Sequence, residues 1–372
     1  MSGESIDQLF AGLSNVTWQS LVMLLVGGAL IYLAIAREYE PLLLLPIGAG
    51  AILANLPLSP LVGEGGMLTV LYDVGVANEL FPLLIFVGIG AMTDFGPLLE
   101  NPKMVLLGAA GQFGIFLTLI LALLLGFSRE EAASIGIIGA IDGPTSIYVS
   151  GILAPHLLAP ITVAAYSYMS LVPIIMPPVM RLLTTKRERA IRMTYSQRPL
   201  SRRTRVLFPI VVTIVVGVLV PFATPLIGCL MLGNLMRESG VVERLTHAAS
   251  NEIANVVTLF LGLAIGSTMQ GTAFLLPSTL AILGLGLVAF VLDTAAGVLF
   301  GKLMNVVSGG RFNPLIGAAG ISAFPMAARV VQKEAAREDF SNFVLMHAMG
   351  ANAAGQVASV VAGGVLLALV AG

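Results

Sequence analysis

The chain has 372 residues, of which 57% are apolar and only 10% are Asp, Glu, Lys or Arg, with a mean hydropathy of +0.96. A soluble domain carries about 25% charged residues, so this composition excludes a water-soluble enzyme, a disordered chain and a nucleic-acid binder, and predicts an all-α polytopic membrane protein. The net charge of -1, from 19 basic and 20 acidic residues, conceals an asymmetry: eight of the basic residues crowd into 186–205 against the single acid Glu188.

Residues 1–17 are polar and amphipathic, without the basic start or small-residue cleavage site of a signal peptide. A spanning helix needs about 20 mainly apolar residues. Such runs fall near 18–36, 40–57, 80–96, 103–127, 131–152 and 157–184, and then near 206–222, 224–237, 253–271, 277–301, 311–330 and 340–370. The organisation read from them is an N-terminal amphipathic segment (1–17), a first transmembrane repeat (18–185), a basic linker (186–205) and a second repeat (206–372). Positive charge marks the cytoplasmic side, which places the linker there. The 41 glycines and 20 prolines predict close-packed, kinked helices, and the single Cys229 excludes an intrachain disulfide, a Cys-based zinc site and an iron–sulfur cluster.

Three strings recur in order. Glu40-Pro41-Leu-Leu-Leu-Leu-Pro-Ile-Gly48 answers Thr224-Pro225-Leu-Ile-Gly228, and Ile85-Phe86-Val87-Gly88-Ile89-Gly90 answers Leu259-Phe260-Leu261-Gly262-Leu263-Ala264. Ile138-Gly139-Ala140-Ile141-Asp142-Gly143-Pro144 answers the run from Ile316-Gly317-Ala318 to Ser322 and Pro325. A duplicated membrane chain of this kind places its site where the halves meet, on interrupted helices. The segments around Asp142 and Ser322 are the interrupted ones. If each is a re-entrant hairpin, every half crosses the membrane five times, and that odd count gives the two repeats inverted topology.

Asp142 is the sharpest polar feature, with no basic residue between Arg129 and Arg181. A carboxylate inside a bilayer costs several kcal/mol unless paired or hydrated. Gly143-Pro144 breaks the helix beside it and frees carbonyls, a combination that suits a small hard cation such as Na⁺; the alternative is an Asp capping a helix in the headgroup region. In the answering segment, Asn313 and Ser322 offer neutral oxygens, while Arg329 either forks onto a carboxylate or snorkels to the surface. Asn352 is either a further oxygen ligand or an interhelical hydrogen bond. Tyr166 and Tyr168 either serve a bound anion or proton, or anchor the helix at the interface. Asp94 and Asp293 stay open between cavity and structure, and the three histidines share no metal-binding spacing.

Taken together, these strings resemble the β subunit of the biotin-dependent, sodium-pumping decarboxylases that act on oxaloacetate, glutaconyl-CoA, methylmalonyl-CoA or malonate. The resemblance also runs through Gly233-Asn-Leu-Met-Arg-Glu-Ser-Gly240 and Met349-Gly-Ala-Asn352-Ala-Ala-Gly-Gln356. It implies a membrane subunit that decarboxylates carboxybiotin and exports Na⁺ across the bacterial cytoplasmic (inner) membrane. It further implies Na⁺ ligands at Asp142, Asn313, Gly317, Ser322 and Asn352, carboxybiotin contacts at Arg329 and Asn352, and catalytic roles for Tyr168, Arg329 and Asp142. The implied partners are a carboxyltransferase (α) subunit, a biotin carrier, a small membrane-anchor subunit and further copies of the chain. The compact length is similar to the CoA-ester type. The competing expectation is a sodium-coupled organic-anion transporter without catalysis.

Overall fold

The computed structural model describes residues 11–194 and 200–370. The first ten residues of the amphipathic segment and 195–199 of the linker lie outside the described residues. Among the described residues no strand forms. The helices used below are α1 (Trp18–Ala36), α2 (Pro41–Asn55), α3 (Met67–Gly75), α4 (Leu80–Met92), α5 (Met104–Ala110), α6 (Phe113–Leu124), α7 (Arg129–Gly136) and α8 (Gly143–Leu153). They continue with α9 (Leu158–Ser170), α10 (Val172–Leu183), α11 (Arg202–Leu219), α12 (Thr224–Ser239), α13 (Ala254–Thr268), α14 (Pro277–Val307), α15 (Met326–Glu338) and α16 (Leu345–Val370).

Local chemistry sets many of the boundaries. Thr17 and Ser201 cap α1 and α11 through their hydroxyls. Pro41, Pro144, Pro225 and Pro277 stand in first turns, where a missing N–H costs nothing. Five helical stretches are long and apolar enough to cross a membrane, and two bent pairs bring the number to as many as seven. Large apolar side chains face outward on them, including Leu25 on α1, Val218 on α11 and Leu280 on α14, all at least 73% exposed. Such a surface is stable in lipid and a liability in water. The protein is a multi-pass α-helical membrane protein.

Two expected runs differ in detail, and one helix was not expected. The run 103–127 is broken at Gly111-Gln112 into α5 and α6. The run 157–184 bends by 67° between α9 and α10, at Leu171 and ahead of Pro173. Helix α3, which meets α4 at 63°, was not expected, because its nine residues are too short and too mixed to register as a span.

Helices from the two ends of the chain lock together through glycine. A Cβ on Gly90 of α4 would fall 1.8 Å from the Leu230 carbonyl oxygen of α12, and one on Gly233 of α12 would fall 2.0 Å from that of Val87 on α4. The same reciprocity holds between α2 and α13, where Gly50 meets Leu263 and Gly266 meets Ile47. These backbone-to-backbone approaches leave room for hydrogen alone. The apolar interior falls into two clusters. The smaller gathers residues of α1, α2, α4, α8, α9 and α13, and the larger gathers residues of α4 to α10, α12, α14, α15 and α16, so α4, α8 and α9 contribute to both. Ile89 and Met169 pack against both.

The two interrupted segments sit in this interior. After α7 the chain tightens into a 3-10 turn (Ile137–Ala140), Ile141 takes a left-handed backbone with φ 52°, Asp142 is extended, and α8 begins. In the second segment a seven-residue 3-10 helix (Pro314–Gly320) ends in extended Ile321, and α15 follows. The breaks touch: the Ser322 amide donates to the Ala140 carbonyl at 3.1 Å.

Candidate functional site

Asp142 lies at this junction, 3% exposed. Its Oδ1 accepts from the Thr145 amide at 3.2 Å, so it does cap α8, but inside the protein rather than at a headgroup surface. Its Oδ2 accepts from three side chains of the second half of the chain: Ser359 Oγ at 2.7 Å, Ser322 Oγ at 3.1 Å and Gln356 Nε2 at 3.2 Å. Ser322 and Ser359 also meet each other at 2.9 Å. No cationic side chain among the described residues pairs with Asp142. One carboxylate ringed by two hydroxyls and a side-chain amide matches a hard monovalent cation in charge and softness, once those groups present their oxygens. A hydroxyl that donates to this carboxylate can turn a lone pair to an arriving ion.

The carboxylate opens onto a cavity of 380 Å³, also lined by Ser322, Gln356, Glu40, Tyr166 and the Phe324–Met326 stretch. Ile89 and Met169 line it too, so the cavity runs along the boundary between the two apolar clusters. Gly143 is required where it is: a Cβ there would overlap the Tyr166 ring at 2.0 Å. Arg329, one helical turn beyond Pro325, is exposed and forms no ion pair among the described residues.

The sequence-predicted residues divide by position. Asp142 and Ser322 are in contact, and Asn352 stands behind them: its Nδ2 donates to the Ile321 carbonyl at 2.6 Å, while its Oδ1 is buried without a partner. Gly317 serves close packing, since a Cβ on it would fall 1.9 Å from the Gly297 carbonyl oxygen of α14. The Tyr168 hydroxyl donates to the Leu283 carbonyl of α14, and Tyr168 does not line the cavity. Asn313 is not brought to Asp142. Its Oδ1 accepts from the Leu315 amide, capping the 3-10 helix, and its Nδ2 donates to the Arg189 and Ile191 carbonyls at 2.9 Å each. The reason is length: seven residues of 3-10 helix rise about 14 Å, which sets Asn313 and Ser322 at opposite ends of the element. Asp94 is a turn residue that accepts from the Gly96 amide.

Two contributors were missed. Gln356 and Ser359 share the face of α16 that carries Asn352, at the i, i+4, i+7 spacing of one helix stripe. That polar stripe in a small-residue helix was the available signal.

Asn313 belongs to a strap. The Asn342 amide donates to the same two carbonyls of 189 and 191, and ion pairs fasten the stretch to α15 and its end: Arg189 to Glu338 and Arg192 to Asp339, both at 2.6 Å. The Arg192 guanidinium and the Ser341 hydroxyl hold the Asp339 carboxyl down at about 2.

The fold is that of a multi-pass helical membrane protein with interrupted helices meeting at a buried carboxylate. The family of the Na⁺-transporting oxaloacetate decarboxylase beta subunit matches residues 19–370, and the chain belongs to it. The chain is 55% identical to the methylmalonyl-CoA decarboxylase subunit beta of Veillonella parvula, over 96% of this chain and 95% of that one. It is 54% identical to the glutaconyl-CoA decarboxylase subunit beta of Acidaminococcus fermentans, over 97% and 96%. With the oxaloacetate decarboxylase beta chain of Klebsiella pneumoniae it shares 47% identity over 98% of each. It is thus a β subunit of a decarboxylase coupled to Na⁺ transport, and not a carrier without catalysis.

Proposed function

We propose that this chain decarboxylates carboxybiotin, presented by a biotin carrier subunit, and uses that free energy to export Na⁺ across a bacterial cytoplasmic membrane. The carboxyl group comes from an organic acid or CoA ester through a carboxyltransferase subunit, with a small membrane-anchor subunit and further copies of this chain completing the complex. The observation that carries the reading is the Asp142 carboxylate, buried, unpaired with any cation among the described residues, and ringed by Ser322, Gln356 and Ser359.

Asp142 supplies the charge for Na⁺, the hydroxyls of Ser322 and Ser359 and, after its side-chain amide rotates, the oxygen of Gln356 complete the shell, and Asn352 fixes the Ile321 carbonyl beside it. Arg329 is free to pair with the carboxylate of carboxybiotin near the cavity mouth. Asn352, fully buried, suits the cation side better than a contact with the cofactor. Carboxybiotin supplies the energy of CO₂ loss. Asp142 and Tyr166 line the cavity and would be placed to hold or pass the proton that decarboxylation consumes, whereas Tyr168 does not line it. The basic stretch 186–205 faces the cytoplasm, where the carrier arrives. Inverted repeats are supported by the reciprocal seams, α2 on α13 and α4 on α12, and by the meeting of the two breaks.

Replacement of Asp142 by Asn in the assembled complex tests the reading. Expected is the loss of both Na⁺-stimulated decarboxylation and Na⁺ uptake into inverted vesicles. Normal Na⁺ stimulation with normal transport in that variant overturns it.

A further inference from the structure

A second carboxyl in the membrane interior has no role in the site above. Asp293 lies midway along α14 and is 0% exposed. Its Oδ1 accepts from the Gly114 amide, in the first turn of α6, where the break at Gly111-Gln112 leaves amides without helical partners. Its Oδ2 is buried and has no partner.

Two glycines form the walls around this carboxyl. A Cβ on Gly114 would fall 2.6 Å from the Asp293 carboxyl carbon, and one on Gly139 would fall 2.7 Å from Oδ2. The elements packed on α14 bring no charge to it. Helices α5, α6 and α9, the 3-10 turn 137–140 and the 3-10 helix 314–320 carry no Lys, Arg, His, Asp or Glu. Their titratable groups are Tyr166 and Tyr168 of α9, the latter's hydroxyl engaged by the Leu283 carbonyl. Helix α10 brings Arg181, bound to Glu334, and α7 brings Arg129, Glu130 and Glu131 at its exposed start, Glu131 meeting His156. On α14 itself, Lys302 is held by the Leu183 carbonyl and Glu188.

An ionised carboxylate with one N–H donor and no counter-charge is costly at membrane depth. A metal cation would relieve it but needs several oxygen ligands and space for itself, and the glycine walls close on the carboxyl directly. A proton needs neither. We propose that Asp293 is a proton-binding site, occupied in the conformation described here and released when the Ile137–Ala140 turn draws off it. That turn also bears on Asp142: Gly139 covers Asp293 Oδ2, Ala140 accepts from Ser322, and Asp142 follows two residues later. Movement of one short segment therefore uncovers Asp293 and reshapes the cation site together. The exchange is a simple one, in which the carboxyl gives its proton to water and later recovers it.

The test is infrared difference spectroscopy on the purified full complex near neutral pH, with Na⁺ added or withheld and without any biotin chemistry. Expected is a protonated-carboxyl band that Asp293→Asn removes, that Asp293→Glu shifts, and that changes when Na⁺ binds. If the Asn variant does not assemble, the Glu variant carries the assignment alone. A spectrum that neither variant alters in this region means an ionised Asp293 and overturns the proposal. A band indifferent to Na⁺ overturns the coupling. Because no turnover is required, failure here is distinguishable from failure of the proposed pump mechanism, which Na⁺-dependent decarboxylation of the unaltered complex reports separately.

Discussion

Removing the Ser359 hydroxyl is the most informative change at the site, because Ser359 was not expected from sequence and donates the shortest of the three bonds to Asp142 Oδ2, 2.7 Å. Without Na⁺, Ser359→Ala leaves the carboxylate served by Ser322 and Gln356, so the empty state loses little. With Na⁺ bound, those two groups turn toward the ion and the missing oxygen is no longer replaced. A hydrogen bond to a charged group contributes about 1.5–3 kcal/mol, and each 1.4 kcal/mol is a factor of ten, so half-saturating Na⁺ should rise about 10- to 150-fold. The assay is the Na⁺ dependence of decarboxylation by the membrane-embedded complex, with the maximal rate largely retained. Ser322→Ala/Ser359→Ala should fall short of the product of the single effects, since the two hydroxyls share one acceptor and touch each other. A shift smaller than twofold for Ser359→Ala would refute the reasoning that this hydroxyl serves the ion.

Two further outcomes follow from the packing and the strap. Gly90→Val places side-chain carbon against the Leu230 carbonyl oxygen, where even a Cβ would fall at 1.8 Å; overpacking costs about 1–3 kcal/mol, so the Tm in detergent should fall, and an unchanged Tm would mean that α4 and α12 do not approach so closely. The Asp339 carboxyl, held at about 2 in the folded protein against about 3.9 when free, stabilises the strap fully above about pH 4 and loses that contribution as the pH falls toward 2. Pepsin cleavage within 186–194 should therefore be slow near pH 4 and quicken below it, whereas Asp339→Asn should be cut at the faster rate throughout; pH-independent cleavage of the unaltered chain would sink this assignment.

Much of the fold could be read from apolar run lengths, and Trp18–Ala36 matches its expected span because a polar turn precedes it and Arg37 follows it. Asp142 and Ser322 stood out because Gly and Pro flank a polar group inside an apolar run, and the structure brings the two together. Asn313 carried the same local signature and went elsewhere, since residue type does not tell which end of a 3-10 helix faces the cavity. Tyr166 and Tyr168 were equally plausible on paper. Two residues along a helix turn the side chain by about 200°, so only one can line the cavity, and tertiary packing chooses Tyr166. Gln356 and Ser359 were overlooked because single polar residues in a small-residue helix read as packing until their common face with Asn352 is traced.

The arrangement of the two apolar clusters has a mechanical consequence. Each draws helices from both ends of the chain, and the glycine seams rivet α2 to α13 and α4 to α12. The halves of the polypeptide are therefore not the moving parts. The α4–α12 seam joins the two clusters, so relative movement between them is a pivot about that seam rather than a slide, and where they abut along Ile89 and Met169 a methionine thioether is a compliant bearing. With the carboxylate cavity on that same plane, a rotation of one block against the other changes which side of the bilayer the cavity faces.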